Sequence, residues 1–278
     1  MMKYILLLLL LITPHLLKAA EINRVITIGG AVTEIAYLLG AESTLVGSDT
    51  TSYFPPSAEK LSKVGYQRAL SAEGILSLEA DLIILNEEAG PPSVLAQLKS
   101  ANQKILNLKA ARSAEDIIEN IILIGHALGK QKAAASLVEN MQEQKKMLEA
   151  KVKETETPPN VMIIHQHVSG APMAAGKQTA ANSIIGLSGG INVVDGYSGY
   201  KQLTPEAIIS MSPDFIIIAA PRAESINDAS KQTNHDMFKN TSAGQAGRIF
   251  IMDALELLGY GPRSIKAAIK LNKLYNSL

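Results

Sequence analysis

The sequence predicts an α/β protein of two Rossmann-like βα lobes joined by a single long α-helix, with a ligand cleft between the lobes. Three observations carry this expectation. Short apolar runs alternate with amphipathic segments along most of the chain, which is the pattern of βαβ units around a parallel sheet. The alternation breaks once, at "KQKAAASLVENMQEQKKMLEAKVKE", a stretch free of Gly and Pro that reads as one continuous helix. Finally, "LSAEGILSLEADLIIL" returns without a gap 133 residues later as "LTPEAIISMSPDFIII".

The elements follow in order. "MMKYILLLLLLITPHLLKAA" has Lys3, an apolar run from Ile5 to Ile12, and small residues at Ala19 and Ala20. Residues 1–20 therefore read as a cleavable secretory signal peptide, too short for a membrane span of about 20 apolar residues. The N-terminal lobe is expected at 21–129. It has strands at "RVITIG", "TLVGSD", "DLIIL" and "KILNL", and helices at "VTEIAYLLG", "SAEGILSLEA" (capped by Ser71) and "SVLAQLKSA". "SAEDIIENIILIGHALG", capped by Ser113, closes the lobe. The linking helix occupies 130–156. The C-terminal lobe, 157–278, resumes the alternation through "VMIIHQH", "TAANSIIGLSG", "INVVD", "TPEAIISMS", "DFIIIAA" and "RIFIMD" to a final helix.

Composition narrows the function. Lys plus Arg and Asp plus Glu are 26 each, so the formal charge is zero. With no long basic run, neither nucleic acid nor an anionic membrane is an expected partner. The chain has no cysteine, so an exported form carries neither a disulfide framework nor a thioether lipid. The expected product is a monomer, free in a bacterial periplasm and not inserted in the membrane.

The repeat opens each helix with a cap, Ser71 or Thr204, and sets a glutamate, Glu73 or Glu206, in the first turn. Either the glutamates only favour the helix dipole, or two matched lobes present matched carboxylates to a dimeric partner. Five of the eight tyrosines (Tyr53, Tyr66, Tyr197, Tyr200 and Tyr260) fall in expected loops, where an open α/β sheet gathers its ligand residues. That placement suits a flat apolar ligand. Tyr66 and Arg68 stand two apart and point to one side if the chain is extended. A guanidinium beside a phenol favours the phenolate, a hard oxygen ligand for ferric iron, and tyrosine is a known axial ligand of haem. Read alone, Tyr-x-Arg is also an ordinary loop tyrosine stacked on an arginine. His165 and His167 end a strand and read as solvated residues or as metal ligands. His126 reads as structural. The stretch "SGAPMAAGKQTAAN" reads as a Gly-rich loop leading into a helix N-terminus.

Together "GYQRALSAEGILSLEADLII", "PMAAGKQTAANSIIGLSGGINVVDGY", "LTPEAIISMSPDFIII" and "LLGYGPRS" resemble the periplasmic haem-binding proteins of bacterial haem ABC importers. These form part of the helix-linked (class III) substrate-binding proteins, which also bind cobalamin and ferric siderophores. The resemblance spans essentially the whole chain after the signal. It implies haem (Fe-protoporphyrin IX) held as cargo between the lobes, with Tyr66 as axial iron ligand and Arg68 bonded to its oxygen. It implies His167 as the second-lobe candidate ligand, leaving open six-coordinate haem or a second stacked haem. It also implies Tyr260, with Arg263, near the cleft, and Glu73 and Glu206 docking the ABC permease dimer and its ATPase. The sequence departs from many haem-binding members at "HQHVSG", which leaves the second ligand open. A cobalamin or ferric-siderophore carrier is the alternative in the same class. A bare-metal carrier would use His165, His167 and His235. An exported hydrolase is the alternative of another class. An enzyme is not expected, because no G-x-S-x-G elbow is read, the chain has no cysteine nucleophile, and no Ser/His/Asp spacing marks a triad.

Overall fold

The computed structural model describes residues 22–165, 173–223 and 235–277, with the side chains at 235 and 236 excepted. The signal segment and His167 lie outside the described residues.

Up to the chain midpoint the elements are β1 (Val25–Ile28), α1 (Gly30–Leu38), β2 (Leu45–Ser48), β3 (Ser62–Lys63), the hairpin strands β4 (Gly65–Tyr66) and β5 (Ala69–Leu70), α2 (Ala72–Leu76), β6 (Leu82–Asn86), α3 (Pro92–Ser100) and β7 (Ile105–Leu108). Helices α4 (Ala114–Ala127) and α5 (Gln131–Lys153) follow. The second half contains β8 (Asn160–His165), β9 (Met173–Ala175), α6 (Ala180–Leu187), β10 (Ile191–Asn192), β11 (Tyr200–Gln202), α7 (Pro205–Ser210), β12 (Phe215–Ala220), α8 (Ser242–Gln245), β13 (Ile249–Asp253), α9 (Ala254–Leu258) and α10 (Ser264–Asn276).

The first sheet has the order β3-β2-β1-β6-β7 and every pairing in it is parallel. The second has the order β11-β9-β8-β12-β13, with β10 also on β8. Here the parallel expectation needs correction. β9 runs antiparallel to β8, and β11 antiparallel to β9. The link from His165 to Met173 is too short for a parallel crossover, which takes a dozen or more residues. Part of the expected Gly-rich loop is thus the strand Met173–Ala175. The helix start beyond it is already served by Thr179, whose hydroxyl accepts from the Asn182 N–H at 3.1 Å.

Strand alternation sends side chains to two cores. Ile26, Ile28, Ile83 and Leu85 pack under α2 and α3 in one cluster, and Met162, Ile164, Ile216 and Ile218 form the matching cluster in the second half. The opposite faces, Val25 and Ile84 in one sheet, Val161, Ile163 and Ile217 in the other, join a single apolar cluster running through both halves. Helix α5 carries that continuity. Its buried residues are Ala134, Met141 and Leu148, a heptad-spaced stripe, and it packs against both α4 and α10.

The repeat is structural at most of its shared positions. Ser71 and Thr204 cap the N–H groups of Gly74 and Ala207. Ile75 and Ile208 are fully buried. Ser77 and Ser210 donate to Gly74 and Ala207 carbonyls at 3.0 and 2.8 Å. Asp81 accepts from the N–H groups of Asn23 and Arg24, and Asp214 from that of Asn160, so each aspartate ties its strand's start to the neighbouring strand. Only the apolar members of this set follow from amphipathicity alone.

Polar contacts also cross between the halves. The Tyr53 hydroxyl donates to Asp253 Oδ2 at 2.9 Å and accepts from the Leu255 N–H at 2.8 Å. Arg222 pairs with Glu59 at 2.8 Å. Arg263 Nε bonds Glu34 Oε2 at 2.9 Å, and its guanidinium lies 3.7 Å from the Phe54 ring centre. Glu34 is 2 % exposed. Glu34 Oε1 and Arg263 Nη2 are buried without a hydrogen-bond partner.

Candidate functional site

The site is assembled where the first sheet's strands end. The hairpin β4–β5 stands beside that edge, and its turn depends on Gly65. There φ is +105°, a backbone conformation that side chains avoid, and a Cβ would lie 2.7 Å from the Ala69 carbonyl. The hairpin is bonded to the loop after β6: the Leu70 N–H donates to the Gly90 carbonyl at 2.9 Å, and the Gly90 N–H to the Gln67 carbonyl at 2.8 Å.

This support presents Tyr66 with its side chain 42 % exposed. Arg68 Nη1 donates to the Tyr66 oxygen at 3.0 Å. Arg68 Nη2 donates to Glu88 Oε2, and Arg112 Nη2 donates to Glu88 Oε1. The two arginines, from a hairpin and from the segment after β7, thus share one carboxylate. Burial acts against the charge on Arg68, but Tyr66 and Glu88 outweigh it and raise its pKa. The backbone of Glu88 is fixed by Asn86, whose Oδ1 accepts its N–H at 2.9 Å. Arg112 donates through Nη1 to the Ala111 carbonyl at 2.8 Å and through its backbone N–H to Asp116 at 2.9 Å. Asp116 belongs to the capping box of α4 with Ser113.

From the second half, Tyr200 approaches this cluster. Burial pushes its hydroxyl up to about 12; the Arg112 and Arg68 charges oppose the shift and Glu88 adds to it. Its ring lies 6.1 Å from that of His165, at the end of β8. The arrangement combines an accessible phenol, two guanidiniums and a carboxylate on one wall with aromatic rings on the other. Chemically it suits an oxygen-seeking cation embedded in a flat, partly anionic ligand.

The other expected residues are dispersed. Tyr260 is a packed core residue, 3 % exposed. Its glycine neighbours suggest an open loop, but Gly261 lets the chain close onto α1, where a Cβ would lie 2.8 Å from that of Ala31. Burial raises the Tyr260 hydroxyl to about 12. Tyr53 belongs to the contacts between the halves. Tyr197 donates to the Ala174 carbonyl at 2.9 Å, flat against Gly176. His126 lies on the exposed face of α4 rather than in its core. His167 and the His235 side chain are outside the described residues.

Glu73 and Glu206 are exposed in the first turns of α2 and α7. The carboxyl of Glu206 is held below its usual range by its own backbone N–H and the Thr204 hydroxyl. One turn on, the equivalent residues Leu76 and Ile209 are exposed as well.

Sequence reasoning passed over Glu88 and Arg112. The signal for both is their place just after the carboxyl ends of β6 and β7. It also passed over "GLSGG", Gly186 to Gly190, which fits the Gly-x-Ser-x-Gly spacing. That serine is no nucleophile elbow: Ser188 ends helix α6, is fully buried, and donates to the Ile185 carbonyl at 2.8 Å. Among the described residues, no group of three or more His, Cys, Asp or Glu is placed to hold a metal ion, and no helix is long and apolar enough to cross a membrane.

The sequence profile of a family described as periplasmic binding protein matches residues 25–255. The chain belongs to the periplasmic binding protein family. That family is one of binding proteins rather than enzymes. Among its relatives, the ABC transporter substrate-binding lipoprotein YvrC of Bacillus subtilis (strain 168) is 27% identical over 90% of this chain and 79% of its own. The vitamin B12-binding protein of Vibrio vulnificus (strain CMCP6) is 29% identical over 76% of each chain. The solved structure of the periplasmic heme-binding protein BhuT in complex with two hemes is 35% identical, with a TM-score of 0.82 over 91% of this chain and 98% of that one.

Proposed function

We propose that this periplasmic binding protein captures haem and delivers it to an inner-membrane ABC transporter. One observation carries the reading: an exposed phenol, Tyr66, with the Arg68 guanidinium 3.0 Å from its oxygen, at the carboxyl ends of a parallel sheet. The likeness to BhuT supports it. Tyr66 ligates the ferric iron as phenolate and Arg68 bonds the ligating oxygen. His167 is the candidate ligand from the second lobe. Tyr260, packed in the core, is the haem-side residue of the "LLGYGPR" segment. Glu73 and Glu206 dock the two halves of the permease dimer. The N-terminal pattern of residues 1–20 supports export to the periplasm, where the protein works as a monomer.

The vitamin B12-binding relative favours cobalamin as the second reading. Titration of the exported chain with haemin, cyanocobalamin and a ferric siderophore separates the two. Haemin is expected to give a saturable Soret band and to raise Tm, since a ligand bound only by the folded state stabilises it. Saturable binding of cyanocobalamin with none of haemin contradicts the proposal.

A further inference from the structure

We infer that Glu88 is a positioning residue that holds Arg68 against Tyr66 by tethering it to Arg112. The inference rests on the reading of Tyr66 as the haem ligand, and it names a residue that the reading did not include. The geometry is a relay in which every link is specified. Arg112 is fixed at its guanidinium by the Ala111 carbonyl and at its backbone by Asp116 of the α4 capping box. Glu88 is fixed through its backbone by Asn86. Each Glu88 oxygen accepts from one arginine, and Arg68 uses one nitrogen for Glu88 and the other for Tyr66.

Arg68 is the loose member of this chain, with a side chain 53% exposed. Apart from Tyr66 itself, Glu88 is the only described side chain that accepts from its guanidinium, so its hold on Tyr66 depends on Glu88. Without that carboxylate, two guanidiniums face each other unscreened, and the one free to move is Arg68. Glu88 also acts in the opposite sense by charge alone, since a carboxylate near a phenolate disfavours it. The two effects predict opposite outcomes for its removal.

The experiment is a double-mutant cycle on the full exported chain, with Arg68→Ala, Glu88→Ala and both together, read by haemin affinity and by the visible spectrum. Glu88→Ala is expected to weaken haemin binding roughly 10-fold to 100-fold, as loss of outer partners of metal ligands does. It shifts the spectrum in the same sense as Arg68→Ala, and the double variant loses little beyond Arg68→Ala alone. Unchanged or tighter binding by Glu88→Ala, or losses that add in full, overturns the inference. A second readout stands apart from haem. In crystals of ligand-free Glu88→Ala, Arg68 Nη1 is expected to have left the Tyr66 oxygen. An Arg68 still bonded there overturns the inference whether or not haemin binds, whereas absence of haemin binding by the wild type overturns only the functional reading.

Discussion

Arg263→Ala is expected to lower stability at pH 7.5 by about 3–5 kcal/mol, the usual cost of removing one partner of a buried ion pair. In a chain of this size that is a fall in Tm of roughly 10 °C. The reason lies in what is left behind. Glu34 is buried on α1 and Arg263 is its only cationic partner among the described residues. The substitution also removes the guanidinium stacked on Phe54 and the 3.7 Å approach to Asp253. Removing both charges, as Glu34→Gln with Arg263→Met, is expected to recover most of the loss, because no buried charge then lacks a partner.

The same pair imprints a pH dependence. Burial raises the Glu34 carboxyl to about 6, with Arg263 opposing the shift. In the unfolded chain a glutamate releases its proton near pH 4.3, about 1.7 units lower. Between these values the folded state holds a proton that the unfolded state has lost. The stability from this group is therefore present below about pH 4.3 and is lost as pH rises through about 6, by on the order of 2 kcal/mol. Denaturant melts across pH 4–7 are expected to show this fall in the wild type and not in Glu34→Gln. In Arg263→Ala the destabilisation is expected to shrink toward pH 5, where Glu34 takes up a proton. An equal loss at pH 5 and pH 7.5 would contradict the assignment.

Tyr66→Phe is expected to weaken haemin binding by more than 100-fold, or about 2.7 kcal/mol, while leaving Tm unchanged within about 1 °C. The substitution deletes one oxygen from a half-exposed ring, so the fold loses almost nothing. What disappears is the ligand to iron and the acceptor for Arg68 Nη1. The charge-transfer features of a ferric phenolate complex vanish with it. Affinity and spectrum matching those of the wild type would remove Tyr66 from the site.

Much of the fold was legible because two periodicities are strong in this sequence. The buried strands at Ile83–Ile84 and Ile216–Ile217 and the capped helices at Ser71, Ser113 and Thr204 declare themselves by apolar runs and cap chemistry. The antiparallel edge was not legible, because Met173–Ala175 is too short to carry a pattern and its pairing is set by a short connection. Tyr66 and Arg68 could be read because they are two residues apart in one hairpin. Glu88 and Arg112 could not, because what joins them to Arg68 is the meeting of β6, β7 and a hairpin in space. The burial of Tyr260 was not legible, because flanking glycines mark a loop without saying which way its ring turns.

A crystal structure of the haemin-loaded chain decides whether the Tyr66 oxygen is bound to haem iron. The expected result is the porphyrin between the lobes with the Tyr66 oxygen coordinated to iron and Arg68 within hydrogen-bond distance of that oxygen. Iron ligated by other residues only, or haem bound outside the cleft, would contradict it.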